Sequence, residues 1–305
     1  MGLRHPGPGG LRGHPHIMVS GRSGHGLTGI GILIGLIAIL ITPSVLAAEA
    51  PQRVVSMNLC TDQLAMRLAA EGQLISVSAL SQDPANSAMA ETARQYPVNH
   101  GRAEEIHVLD PDLVVAGRFS ATATVAMLRR LDIPVAVFEP ATSLADVRGN
   151  LSRMGEVLGR EAAAHQAVEA FDQRLATIRS ATADAAPGDA ALYFPNGYTR
   201  GEQTLIGDIV ATAGFDNVAD EFGLARGGQL PLERLVMATP DRIITARRGP
   251  GHARAEAVMA HPVLEAIAPL GVHRGLGNAD WVCGTPHVLD AVERMAALHQ
   301  GDATQ

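Results

Sequence analysis

"EEIHVLDPDLVVAG", residues 104–117, and "PLERLVMATPDRIITA", residues 231–246, have the same layout. Each is a short helix headed by an acid, then a (D/T)-P-D step, then an apolar run that reads as a buried strand. The unit occurs once in each half of the chain. This points to an internal duplication of two α/β lobes rather than to a solenoid array.

The flanking sequence extends the same alternation. In the first half, "RVVSM" (53–57) reads as a strand and "QLAMRLAAEG" (63–72) as a helix capped by Thr61 or Asp62 and ended by Gly72. "LISVSAL" (74–80) is a strand, followed by a helix at 121–131 and a strand at 134–138. In the second half, strands are expected at 191–197 and 271–277, and helices at 204–214, 254–267 and 285–300. Thr285 caps the last helix and Pro286 takes its first position. Strands alternating with helices imply parallel sheets. Residues 143–182 contain no proline. Ser143 caps a first helix there and Gly159 breaks it. A second helix of about 22 residues follows, roughly 33 Å long. Its Ala164, Val168, Phe171, Leu175 and Ile178 recur at three and four, which makes one apolar face. The expected fold is α/β: two lobes with central parallel sheets joined by one long α-helix.

The N-terminus sets the compartment. Arg4, Arg12 and Arg22 precede "LTGIGILIGLIAILIT", an uncharged apolar run that ends in "PSVLAAEAPQ". A basic head, an apolar stretch and small residues at a cut near Ala47/Ala48 describe a secretory signal peptide. The run is shorter than the ~20 residues of a spanning helix. No cysteine follows it directly, so a lipid anchor is not expected, and Met18 is an alternative start to Met1. The division is 1–47 signal peptide, 48–142 first lobe, 143–185 helical connector and 186–305 second lobe. The chain has no lysine, and losing 47 residues leaves 21 Arg against 31 acids, a net charge of −10. Phosphate neutralisation needs clustered cations, so nucleic acid is not an expected partner.

The order of elements resembles the periplasmic binding proteins of ABC importers for cobalamin, ferric siderophores and heme, chiefly the cobalamin-binding branch. The resemblance rests on six stretches in order: "RVVSMNLCTDQLAMRLAAEGQLISVSAL", "EEIHVLDPDLVVAG", "RRLDIPVAVFEPATSLADV", "YTRGEQTLIGDIVATAGFDNVADE", "PLERLVMATPDRIIT" and "DWVCGTPHVLDAVERMA". It implies a soluble, monomeric periplasmic protein that captures a small-molecule chelate between its lobes. The chelate passes to a permease and ATPase complex in the inner membrane. One acid on each lobe would pair with permease arginines. The matching positions are Glu104 and Glu233, with Glu105 a neighbour able to share the role.

The cleft is expected at the carboxyl ends of the strands. The cobalamin-binding branch lines its cleft with aromatics, but matching positions here are Val98, Gly117 and Gly227, and only Tyr198 is retained. Trp281 and Asp280 match a family Trp and acid. The corrin cage is therefore not carried over, and the chelate stays open between a corrinoid, a ferric siderophore and heme. Arginine is the other resource: Arg102, Arg118, Arg200, Arg226, Arg247 and Arg248 lie in or beside these loops. The guanidinium fork suits carboxylate or an anionic chelate, and Arg118 and Arg200 are the preferred pair. The expected ligand-binding set is Cys60, Arg118, Tyr198, Arg200, Asp280, Trp281 and Cys283.

Enzyme motifs such as G-x-S-x-G and H-E-x-x-H do not occur, so no catalytic residue is expected. A direct metal-ion or heme binder using Cys and His is the alternative, with His100 and His252 one conceivable pair across the lobes. The two cysteines stay open between a cross-cleft disulfide, a ligand or soft-metal contact, and buried filler. A bridge needs Cα atoms within about 7 Å, and an open cleft is usually wider.

Overall fold

The computed structural model describes residues 49–184, 188–246 and 254–302; the expected signal peptide and Arg247, Arg248 and His252 lie outside them. The first half runs β1 (Val54–Ser56), α1 (Leu59–Leu68), β2 (Leu74–Ser78), α2 (Ala90–Ala93), β3 (Val98–Asn99), α3 (Ala103–Val108), β4 (Leu113–Gly117), α4 (Thr122–Arg130) and β5 (Val135–Phe138). Two helices follow, α5 (Leu144–Leu158) and α6 (Glu161–Thr182). The second half runs β6 (Gly188–Leu192), β7 (Tyr198–Thr199), α7 (Leu205–Thr212), β8 (Phe215–Asn217), α8 (Val218–Glu221), β9 (Gly228–Gln229) and α9 (Leu232–Ala238). It ends with β10 (Arg242–Ala246), α10 (Val263–Ile267), β11 (Val272–Leu276), α11 (Asn278–Trp281) and α12 (Val288–Asp302).

Two parallel sheets result, ordered β3-β2-β1-β4-β5 and β11-β10-β6-β8. Without β3, the first reads β2-β1-β4-β5 and the second, reversed, β8-β6-β10-β11, so each half places its own strands in the same order. The duplication extends to single atoms. Asp112 accepts the backbone N–H groups of Gln52 and Arg53 at 2.6 and 3.0 Å, beside the start of β1. Asp241 accepts the backbone N–H of Asp189 in β6 at 2.9 Å. The Asp of each Pro-Asp step thus satisfies a donor at the start of the strand next door, which water would otherwise have to satisfy.

Side chains alternate across each sheet. Val54 and Val115 join the core that faces the long helices, while Val55, Val114 and Ala116 pack under α3 and α4 with Ile106 and Leu128. In the second sheet Leu192 and Ile244 face the shared core, and Ala191, Tyr193 and Ile243 pack with Leu235 and Leu264. The helical segment follows its sequence closely. Ser143 and Asp146 form a capping box on α5, and Gly159 ends it at φ 64°. The α6 helix has 22 residues, and the predicted face of Ala164, Val168, Phe171, Leu175 and Ile178 is buried. Its Arg174 reaches Asp290 and Glu293 of α12 at 2.6 Å each, tying the long helix to the last one.

Several boundaries differ from expectation. Helix α1 starts at Leu59 because Asn58, not Thr61 or Asp62, caps it, accepting the Cys60 N–H at 3.0 Å. The strand expected at 191–197 ends at Leu192, because Pro195 cannot donate to a ladder and Asn196 and Gly197 turn the chain at φ 59° and 69°. The helix expected at 254–267 is a 3₁₀ stretch and α10, interrupted near Pro262. Helix α12 starts three residues late, because Val288 and Leu289 bond back to Thr285 and Pro286 in tight i+3 turns. Among the described residues no helix is long and apolar enough to cross a membrane.

Candidate functional site

A pocket of about 200 Å³ lies at the carboxyl ends of β1, β4 and β5, where open α/β sheets place ligands. Asn58 and Thr61 come from the start of α1, Gly117 from the end of β4, and Phe138 from the end of β5. Val282 and Gly284, just before α12, line the same pocket from the second half of the chain. Two glycines make this approach possible. A Cβ on Gly117 would come within 2.8 Å of the Asn58 side chain that caps α1. A Cβ on Gly284 would collide with Ala141 after β5.

The rim combines charge and an aromatic ring. Arg118 donates to Glu139 at 2.7 Å, and both side chains are well exposed. The Arg118 cation is therefore already partnered, which makes the rim a polar fork rather than a bare positive site. Phe119, next in the chain, also lines the pocket and is 86% exposed, the most exposed large apolar side chain among the described residues. Sequence reasoning passed over Phe119. Its signal was an aromatic placed directly after a buried strand, in a loop on the ligand side of the sheet.

Cys60 and Cys283 are joined as a disulfide, with Cα atoms 4.9 Å apart. Of the three readings left open for this pair, a cross-cleft disulfide, a ligand or soft-metal contact and buried filler, the disulfide is the one formed. The 282–284 loop packs directly on the start of α1, so the bridge spans no open gap. Neither sulfur is a free thiolate, so neither offers the soft-metal contact that was the alternative. Cys60 still lines the pocket, as part of the bridge.

The remaining predicted residues sit elsewhere. The Arg200 guanidinium Cζ lies 4.8 Å over the Tyr198 ring on the second half, and neither residue lines the pocket. Asp280 is half-buried and already partnered: it accepts the Gly277 N–H at 2.6 Å and pairs with Arg294. Trp281 is half-buried, edge-on to Phe194 with ring centroids 6.0 Å apart. Arg226 donates to Gln203, and Arg102 lies 3.8 Å from Glu105. Glu105 also accepts the His100 N–H at 2.8 Å, and that bond, with the His100 ring and Arg102 close by, holds its carboxyl below the ordinary value. Glu104 and Glu233 are exposed, and neither forms an ion pair among the described residues.

Behind the pocket lies a buried polar nest. Thr61 shares a hydrogen bond of 2.8 Å with Ser56. The Asn99 amide donates to the Ser56 carbonyl and the Ser76 hydroxyl. Asp62, fully buried, accepts from the Ser78 N–H at 3.1 Å and from the Ser78 hydroxyl, while its Oδ1 has no partner. Burial outweighs these hydrogen bonds and pushes the Asp62 carboxyl up to about 6. Among the described residues no group of three or more His, Cys, Asp or Glu is placed to hold a metal ion.

A match to the periplasmic binding protein family spans residues 54–269, most of the chain. The chain belongs to the periplasmic binding protein family. This periplasmic binding protein is 29% identical over 203 residues to the cobalamin-binding protein of Halobacterium salinarum, a match covering 64% of this chain and 54% of the relative. The chain thus spans about half the length of that relative. Among solved structures it is similar to the periplasmic vitamin B12-binding protein of Vibrio cholerae, with a TM-score of 0.62 and 19% identity over 84% of this chain and 99% of the other. It is also similar to the periplasmic heme-binding protein of Roseiflexus sp. RS-1, with a TM-score of 0.69 and 20% identity over 83% and 99%. At these identities the structural likeness is one of fold.

Proposed function

We propose that this periplasmic binding protein captures a metal chelate, a cobalamin-like corrinoid or a ferric siderophore, between its two sheets. It then delivers the chelate to an ABC permease and its ATPase. The observation that carries the reading is the pocket itself: it opens at the carboxyl ends of β1 and β4, is closed by the 282–284 loop, and is rimmed by Arg118 and Phe119. Sites that bury a whole drug-sized ligand run to roughly 300–1,000 Å³. A pocket of about 200 Å³ takes the edge of a chelate. The rest of the chelate extends along the cleft toward Tyr198 and Arg200. Phe119 and Tyr198 supply flat apolar contact, and Arg118 with Glu139 supplies a donor and acceptor for polar groups on the chelate rim.

On this reading residues 1–47 direct export, and the working division is a lobe at 48–142, a connector at 143–185 and a lobe at 186–305. The protein acts as a monomer, by binding rather than catalysis. Glu104 and Glu233 face the permease. Heme remains a candidate chelate. A direct metal-ion binder is disfavoured because its two sulfur donors are consumed in the disulfide. Native mass spectrometry of the protein expressed in a bacterial periplasm tests the reading. A co-purifying chelate supports it; a bare metal ion bound with no chelate mass contradicts it.

A further inference from the structure

The two docking helices carry a second feature in duplicate. Glu104 and Val108 lie four residues apart on α3, and Glu233 and Met237 lie four apart on α9. That spacing puts each acid and its apolar neighbour on one helix face, one turn apart. The opposite face is pinned in the core by Ile106 and Leu235, each 0% exposed. Val108 is 83% exposed and Met237 72%, and among the described residues only Phe119, at the pocket, is a more exposed large apolar side chain. A single exposed apolar residue means little. Two, each one turn after an exposed acid that forms no ion pair among the described residues, and at equivalent positions of a duplicated frame, form a pattern that the fold itself does not need.

We infer that Val108 and Met237 are apolar pegs of a two-point docking surface for the permease. The inference rests on the delivery reading above. On each lobe the carboxylate meets a cation of the permease, and the peg enters an apolar hollow one helical turn away. The charge fixes register and speeds encounter, while burying the peg slows release. Because the acid and peg pair is presented twice, the matching permease surface repeats its cation and hollow about a two-fold axis.

The test uses the mature chain and the permease–ATPase complex of the same organism, reconstituted in nanodiscs, with affinity read by biolayer interferometry across a salt series. The neutral double variant Val108→Ser with Met237→Ser is compared with Glu104→Arg with Glu233→Arg. The expected result is a loss of at least tenfold in affinity for the serine pair with the salt slope unchanged, and loss of both affinity and salt slope for the arginine pair. Wild-type affinity for the serine pair, with the arginine pair impaired, overturns the pegs and leaves the delivery reading standing. Wild-type affinity for both pairs overturns the docking assignment and the pegs with it. Self-association of the wild type in sedimentation, abolished by the serine pair, would assign the surface to a second copy of the chain and overturn the inference.

Discussion

Cys60 and Cys283 lie 223 residues apart in the sequence, and their Cα atoms are 4.9 Å apart in the fold. The bridge joins the start of the first helix to the loop before the last one, so it ties the two halves together at the wall of the pocket. Closing so long a loop restricts the unfolded chain and stabilises the fold by about 3–5 kcal/mol. The double variant Cys60→Ser with Cys283→Ser should lower the unfolding free energy in urea by that amount. Denatured, unreduced wild type should show no titratable thiol. Two thiols per chain, or a midpoint insensitive to reductant, would contradict the bridge.

Asp62 makes stability depend on pH. Its folded value near 6 lies above the ordinary 3.8. Between about pH 4 and 6 the folded chain therefore holds a proton that the unfolded chain has released, and the unfolding free energy falls as pH rises through that window. The full difference is about 3 kcal/mol. Asp62→Asn keeps an acceptor for the Ser78 N–H and removes the charge. Relative to wild type, the variant should gain about 3 kcal/mol between pH 4 and pH 7. Parallel pH profiles for the two proteins would rule this out.

The duplicated turns differ in one informative way. Asp110 and Thr239 both precede proline with left-handed backbone, at φ 48° and 45°. Asp tolerates that region by local hydrogen bonding, whereas a β-branched residue is strained there. Thr239 is exposed, so its replacement disturbs no packing. Thr239→Asn should stabilise by about 1 kcal/mol, a rise of roughly 2–4 °C in Tm. An unchanged or lowered Tm in a thermal melt would count against strain at this turn.

The sequence made the architecture legible because period and punctuation agreed. The Pro-Asp units predicted the two sheets of like strand order, and Ser143, Gly159 and the apolar face of α6 predicted the two helices between them. Boundaries were less legible where side chains competed for one role. Asn58 took the cap from Thr61 and Asp62, and Asp62 went into the core instead. The site was legible by loop but not by residue. Loops after β1 and β4 and before α12 do form the pocket, yet Asp280 is consumed by a cap and an ion pair. Phe119 and Glu139 line the rim without having been singled out. Which side chain turns into a cleft depends on tertiary partners that periodicity does not encode. The same holds for the disulfide, since contact between α1 and the 282–284 loop rests on the fit of Gly284 against Ala141.

The central claim is that the cleft binds a metal chelate through the rim of the pocket. Isothermal titration of the mature chain with cyanocobalamin, heme and a ferric hydroxamate tests it most directly, with Arg118→Ala and Phe119→Ala measured alongside. The account predicts that one of the three binds with a Kd of about 1 μM or tighter, near 8 kcal/mol of binding free energy, and that each substitution weakens it at least tenfold. No measurable binding to any of the three, or binding that both substitutions leave unchanged, would contradict it.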